Sequence, residues 1–595
     1  RVASRGLGDV YKRQVINNLH YAADGWVYAT HGYSSSENVT SGDGKKDFGP
    51  IDNGVVRFKP DGSHIEQYAS RNGNTWGMDT TMSGEVFYTQ PTTGNPLVHV
   101  VLPEPILAKG KLPGVSGTNG LLPGARTFPA MQWEQQAYVQ IDQVGRYTAG
   151  AGTVIYEGGA WPKKWELSYF TSEPTLNIIG HFNVVKDGVS FKATKEYGRE
   201  QQEFISSTNL WFRPIEVMTG PDGAMYIVDF CNQAIIHNDT RGPVHGPANA
   251  AVRPDRDHYY GRIWKVQHKE AKAIEPSSLD RNNVAALEKA AKSPNEQIRS
   301  TAQRLLHEYH SAEPSVVGSD AVRAYHNAFN EGDPAKIVAG VKAAQDDWTR
   351  SALVAASQEQ AIEVIEAVLK TDPNDSLIAF ATALSPDALN KGDAAANAAR
   401  LLKACEQADD QASPIKGAVL RALADNVSQP PRMTNALKAA LASLLSKDNT
   451  KVLVFPLAIL WDTQGQLASQ TNTIKSSMID SLSVSSVSNE ERISIARSLV
   501  SIHKNDSKIL PALTALLSGN GSESLKSGII MALGSVDGDD LGDTLIAQFS
   551  ALEGSLKMGA FEQIVKRPQW AREFLKRIDN GKITPAELGL SLIHI

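Results

Sequence analysis

The 595-residue chain has only two cysteines, Cys231 and Cys405, and they fall in regions of different character, which argues against a disulfide between them. No CxxC, CxxCH or HExxH pattern occurs, so neither a covalent haem site nor a zinc site is legible. No uninterrupted apolar run is long enough to span a bilayer. Basic residues are not in excess either. Lys and Arg number 59 against 65 Asp and Glu, a net charge of −6, which removes the electrostatic case for nucleic-acid binding. An initiating Met and a signal peptide are also missing from the start. Against these absences stands a 41% hydrophobic content, which suits a globular protein with real cores, over a length that allows several domains.

Both ends read as foreign. Asp9–Gln14 is DVYKRQ and Leu590–Ile595 is LSLIHI. One coding strand for the second, CTG TCT CTT ATA CAC ATC, has a reverse complement that translates as the first. The pair resembles a translated sequencing adapter, so 1–14 and 590–595 are set aside as artefacts, and the chain between them is expected to be a fragment. Val10, Tyr11 and Leu592 are accordingly expected to make few packed contacts.

The most informative stretch is FRPIEVMTGPDGAMYIVDFCNQAIIH, Phe212 to His237. It has the form of a propeller blade: an approach strand, a tight Pro-Asp-Gly turn, then an alternating strand. In the turn Pro presets φ and Gly supplies the positive φ. Shorter versions recur in AADGWVYATHG, FKPDGSHIEQY, MSGEVFYTQ and VKDGVSFKA. A repeated hairpin of this kind is the signature of radial all-β architectures, whose loops gather around a central axis. From Leu102 to Tyr147 a Gly/Pro-rich segment interrupts the spacing. It is expected to cross the propeller face as a long loop, either functional or merely covering.

Near Val266 the period changes. Beyond it Ala, Leu, Ser and Lys dominate, with apolar residues at helical spacing: Ile298, Ala302 and Leu305; Ile415, Val419 and Ala422; Leu525, Ile529 and Ala532. Short loops such as SGNGSES and KDNTK separate the segments. Helices too small to bury their faces alone are expected to stack in pairs. The fold class is therefore an incomplete β-propeller over 15–268, followed by an α-solenoid of HEAT-like repeats over 269–589.

The runs TAGAGTVIYEGGAWP, EPTLNIIGH, EFISSTNLWFRPIEVMTGPDGAMYIVDF and DRDHYYGRIWKV occur in that order. Together with the ending FEQIVKRPQWAREFLKRIDNGKITPAELG, the chain resembles the membrane-bound dehydrogenase family of PVC-type haem-binding proteins. That resemblance implies a glucose/sorbosone-dehydrogenase-like propeller, HEAT repeats and a C-terminal cytochrome c domain. The first blades and the CxxCH domain would then lie outside this sequence. It further implies a periplasmic or cell-envelope location, pyrroloquinoline quinone and calcium as cofactors, and haem c only in the missing domain. Arg71 and Asn72, in ASRNGNTWGMD, match the step that contacts the quinone in soluble sugar dehydrogenases; otherwise Arg71 pairs with a loop and Asn72 caps a turn. Gln90 and Pro91 fall where those enzymes build a calcium loop, although Thr92 and Thr93 are weak ligands for a hard cation. The catalytic histidine of the sugar enzymes would lie upstream, near Gln14, which leaves the base unassigned.

Two rim residues stand out without the resemblance. His31 ends a strand in VYATHGYSSSE, as a cofactor contact or base, or else a turn histidine bonded to backbone. Arg213 leads into the clearest blade, as a cofactor contact or an inter-blade partner of an acid such as Asp229. Asp229, His237, Arg256 and His258 cluster around the last blade, lining the axis or closing the propeller by hydrogen bonds. Arg71, Asn72, Arg213 and His31 are expected to converge on one face.

Two function classes follow. In the first, the propeller oxidises a sugar or alcohol and passes electrons to a cytochrome. In the second, it binds a glycan or a protein without catalysis, and the solenoid serves as a docking arm for a protein partner. A propeller lactonase is weaker, because the metal-binding acids it needs are not evident in sequence. Fold alone does not choose among them.

Overall fold

The computed structural model describes residues 16–32, 35–69, 73–131, 145–232, 259–275, 277–313, 318–426, 429–519 and 521–584. The expectations for Val10, Tyr11 and Leu592 therefore lie outside the described residues. Two compact units form, one from 1–331 with 344–356 and the other from 332–343 with 357–595.

The first unit is built from four small antiparallel sheets in a propeller-like arrangement. Blade 1 is β1 (Ile16–Tyr21), β2 (Val27–His31), β3 (Gly54–Phe58) and β4 (Ile65–Ala69), paired in that order. Blade 2 is β5 (Met78–Thr80), β6 (Val86–Gln90), β7 (Asn95–Val100) and β8 (Thr118–Gly120). Blade 3 is β9 (Thr153–Ile155), β10 (Ser168–Glu173), β11 (Ile178–Asp187) and β12 (Ser190–Thr194), with the short β13 (Ile205–Ser206) also on β11. Blade 4 is β14 (Pro214–Thr219), β15 (Met225–Asp229) and β16 (Arg262–Val266).

The recurring Asp-Gly turns work by one local device. Asp222 Oδ1 accepts the Ala224 N–H at 3.1 Å and its Oδ2 accepts the Tyr226 hydroxyl at 3.0 Å. Asp24 repeats this with Trp26 N–H at 3.1 Å and the Tyr28 hydroxyl at 2.8 Å. The carboxylate satisfies the turn while the tyrosine, four residues on, ties the following strand to it. Gly223 has φ +71°, and a Cβ there would lie 2.3 Å from that of Ala160, so both conformation and space demand glycine.

The cores lie between neighbouring blades. On β6, Val86 and Tyr88 pack with Tyr28, Val55 and Tyr68 of blade 1, while Phe87 between them packs with Tyr169, Ile178 and Phe182 of blade 3. On β10, Tyr169 faces that same core and Phe170 faces Val217, Met225 and Ile227 of blade 4. Alternate side chains point to opposite faces, and both faces are covered, so apolar residues stand at consecutive positions, Val86–Tyr88 on β6 and Tyr169–Phe170 on β10.

The segment Leu102–Tyr147 is not a plain loop. It contains the helix α1 (Glu104–Gly110) and then β8, the fourth strand of blade 2, pairing Thr118, Asn119 and Gly120 with Val100, His99 and Val98. Its Gly/Pro content hides the strand, because the pairing is supplied by β7 rather than by local propensity. Residues 132–144 are outside the description.

Helices α2 (Val284–Ala290), α3 (Glu296–His310), α4 (Asp320–Glu331) and α6 (Asp347–Ser357) follow the propeller in the first unit, while α5 (Pro334–Ala343) belongs to the second. Leu102, just before α1, and Ile106 on it share a core with Ala321 and Val322 of α4 and Ala352 and Ala355 of α6. The second unit continues with helices from Ala361–Val368 to Pro568–Asp579, each packed on the next but one and most also on the next. This is a solenoid of helix pairs. The apolar stripes face inward: Ile415, Val419 and Ala422 are buried, as are Leu525, Ile529 and Ala532. No helix among the described residues is long and apolar enough to cross a membrane.

Candidate functional site at the propeller axis

The first strand of each blade lies innermost, and hydrogen bonds link these strands in sequence. Met78 N–H on β5 donates to Asn18 Oδ1 on β1 at 3.1 Å. Ile155 N–H on β9 donates to Asp79 Oδ2 on β5 at 2.7 Å. Gly152, just before β9, donates to the Ile215 carbonyl on β14 at 2.9 Å. Asn18 Nδ2 donates in turn to Glu216 Oε2 at 2.6 Å, joining the first blade to the last. Polar side chains from three strands, with backbone N–H groups at and just before β9, thus meet around one axis.

Helix α3 supplies a further wall. Asn295 caps it by accepting Ile298 N–H at 3.0 Å, while its amide donates to the Gly158 and Gly220 carbonyls at 3.0 and 2.9 Å. Glu296 N–H donates to the Glu157 carbonyl at 3.0 Å. One asparagine therefore both starts the helix and fixes it to the propeller. Between the inner strands and α3 is a cavity of about 400 Å3, lined among others by His20, Asp79, Glu216, Glu296 and Arg304. Leu19 and Met218 also line it and are 61% and 46% exposed, so apolar groups flank the carboxyls.

The carboxyls hold their protons unusually well. Burial raises Glu216 to about 7, although Val217 N–H and Asn18 bond its charged form. Burial also raises Asp79, helped by repulsion from Glu157 and Glu216 and opposed by N–H groups of Ile155 and Thr80. Glu296 is raised by burial and then by Asp79 and Glu157, with Arg299 opposing. Glu157 is raised by burial against the Met82 N–H and Arg299. Burial lowers His20 to about 4, so the imidazole, 3.8 Å from Asp79, is neutral at pH 7 and gives no counter-charge. Carboxyls that exchange protons near neutrality are suited to acid–base work on hydroxyl groups.

Of the residues singled out in the sequence, Arg213, His31, Gln90, Pro91 and Asp229 are described, and none of them lines this cavity. Arg213 is fully buried, donating from Nη1 to the Pro174 and Thr175 carbonyls at 2.9 and 3.1 Å and from Nε to the Asn232 carbonyl at 3.2 Å. Its backbone N–H donates to Asp229 Oδ1 at 2.8 Å, whereas Asp229 Oδ2 accepts from Arg262 and Trp264 at 2.8 and 2.9 Å. Asp229 thus knits blade 4 together. His31 is buried, with Nε2 3.0 Å from Ser36 Oγ and Nδ1 3.3 Å from the Gly32 carbonyl. Neither residue lines the axial cavity. Gln90 ends β6 and Pro91 opens a single 3-10 turn over Pro91–Thr93, where the Pro91 carbonyl accepts Gly94 N–H at 3.1 Å. Among the described residues no group of three His, Cys, Asp or Glu side chains is arranged to hold a metal ion. Arg71, Asn72, His237, Arg256 and His258 lie outside the described residues.

Sequence reasoning passed over Asp79, Glu216 and Glu296, because lone acids in MDT, PIEVM and NEQI form no motif. One signal was available: Asp79 and Glu216 each interrupt the apolar pattern of a blade's first strand.

Two other places compete. Glu85, His99 and Ser190 form a buried chain, with His99 Nε2 2.8 Å from Glu85 and Nδ1 3.0 Å from Ser190 Oγ. Lys186 and Asn119 complete it, and Ser190 is only 3% exposed, so this order of groups staples blades 2 and 3 and offers no accessible nucleophile. A larger cleft of about 730 Å3 in the helical unit is lined by Asp537, Arg567 and Trp570. Its Asp537–Arg567 ion pair is at the surface and self-satisfied at 2.5 Å, so no unsatisfied chemistry converges there.

No curated protein and no solved structure matches the chain. Residues 1–270, the stretch that contains all four blades, match a family described as a domain of unknown function, DUF7133.

Proposed function

We propose that the propeller binds a sugar or sugar alcohol on its axis, with Asp79 and Glu216 exchanging protons with ligand hydroxyls. The observation that carries this reading is the pairing of proton-retaining carboxyls, Asp79 buried and Glu216 half-buried, with the exposed apolar side chains of Leu19 and Met218 around one cavity. Carboxyl groups donate to and accept from hydroxyls, while the apolar groups cover the C–H faces of a ring or chain.

Oxidation of the bound sugar or alcohol, with electrons leaving to a cytochrome in the cell envelope, is the second reading. It is favoured by Glu216, whose affinity for a proton near pH 7 is that of a general base for a hydroxyl. The axial residues do not fit pyrroloquinoline quinone. That cofactor is a polycarboxylate, and among the described residues Arg304 is the only Lys or Arg side chain lining the cavity, beside the three carboxyls of Asp79, Glu216 and Glu296.

Both readings are tested by titrating the chain with a panel of aldoses and alditols in a calorimeter, followed by dye reduction with the ligands that bind. Binding lost by about ten-fold or more in Asp79→Asn or Glu216→Gln supports the axial site. Binding without dye reduction supports recognition alone. Binding indifferent to both substitutions overturns the proposal.

A further inference from the structure

Recognition of neutral hydroxyls does not account for Glu296. Its side chain is 7% exposed and lines the cavity. Among the described residues no hydrogen bond or ion pair reaches its carboxylate. Arg299, one turn along α3, leans instead toward Glu157 at 3.9 Å. Arg304, at the cavity wall, pairs with Glu308 at 3.5 Å and lies over the Tyr21 ring. Asp79 is 3% exposed and its two oxygens are taken by backbone N–H groups of Thr80 and Ile155, bonds that leave its charge uncompensated. A buried carboxyl without a partner keeps its proton until a cation meets it.

We propose that the axial cavity takes an amine-bearing ligand, an amino sugar or amino polyol, whose ammonium group seats against Glu296 and Asp79. This rests on the reading of the axis as a polyol site and narrows its ligand class. An ammonium has three donors and one positive charge, so it satisfies Glu296 and offsets its repulsion with Asp79 and Glu157 together. Binding strengthens as pH rises toward about 8, where Asp79 ionises, because the seat needs ionised carboxylates. The groups facing it are His20 from β1, Asp79 from β5, Glu157 after β9, Glu216 from β14, and Glu296, Arg299 and Arg304 from α3. His20 stays neutral through that range.

The test uses the whole chain and a matched pair of probes, sorbitol and 1-amino-1-deoxysorbitol, an alkylamine that stays protonated through pH 8. The amine is expected to bind at least about ten-fold more tightly than sorbitol, with the difference widening as pH rises. Acetylating its nitrogen removes the preference. Glu296→Gln, which deletes an uncompensated buried charge and so is expected to fold, brings the ratio to about two-fold or less. Equal binding of the two probes by the unmodified chain overturns the ammonium seat while leaving the axial polyol site standing. A preference that survives Glu296→Gln overturns the seat as well. Binding of neither probe overturns the axial site and the seat together.

Discussion

Arg213 shows how a side chain that looks functional in sequence becomes part of the frame. Three backbone carbonyls, of Pro174, Thr175 and Asn232, point at one guanidinium that has no solvent around it. Burial lowers its proton affinity, to about 10, and Asp229 and Glu173 act in the opposite direction, so it remains charged at pH 7. Arg213→Met is expected to destabilise the propeller by about 3 kcal/mol or more, since the carbonyls lose their donors without gaining water. Urea unfolding measures this, and a loss below about 1 kcal/mol would show that the carbonyls find other partners. Position at the end of a blade strand was legible for both residues, Arg213 before β14 and His31 as the last residue of β2. The direction in which either side chain turns was not, because that depends on which carbonyl or hydroxyl the neighbouring loop brings near.

At the scale of the element, local chemistry carries far. The Asp-Gly turns, the helix stripes and the asparagine, serine and threonine caps can each be read within a few residues, as with Asn283, Thr434 and Ser522. The helix Asp448–Trp461 is a harder case, because Pro456 sits inside it. Proline has no N–H for the Val452 carbonyl one turn earlier. Ser498, from the helix Asn489–Val500, donates its hydroxyl to that carbonyl at 2.7 Å. A neighbouring helix thus replaces the missing bond. Ser498→Ala is expected to cost about 1–2 kcal/mol in the native sequence and less in a Pro456→Ala background, where the helix regains its own donor. A double-mutant cycle by chemical denaturation checks this; equal costs in both backgrounds would refute the compensation. β8 is the opposite case, an element whose Gly-rich sequence contains no strand signal and whose existence rests on the edge of β7.

For the whole molecule, the buried titrating groups make stability depend on pH in a definite direction. Glu173 is raised by burial to about 7 despite N–H bonds from Ala149, Thr148 and Thr175, and Glu216 is raised likewise to about 7. A carboxyl raised in the fold contributes stability that is full below its ordinary value and is lost as pH rises through the folded value. His20 and His181, both lowered by burial to about 4, act oppositely, and their contribution disappears as pH falls below the ordinary histidine value. Below about pH 6.5 the two effects oppose each other, and between about 6.5 and 8 only the carboxyl loss remains. The protein is therefore expected to lose on the order of 1 kcal/mol of stability over that interval. Melting temperatures across the range measure it. Glu173→Gln should lower the melting point and flatten the slope; a slope unchanged by that substitution would remove Glu173 as a cause.

Composition, turn spacing and the change of period near Val266 by themselves determined a propeller of D-G hairpins followed by stacked helices, because those features act over a few residues at a time. The inward stripe of Leu525, Ile529 and Ala532 needed nothing beyond its own spacing. The site was decided only by tertiary structure. Asp79, Glu157, Glu216 and Glu296 are far apart in sequence, and no local rule distinguishes them from surface acids. They become a set because the inner strands converge on one axis and Asn295 pins α3 beside them, so that shared burial, rather than residue type, gives the carboxyls their chemistry.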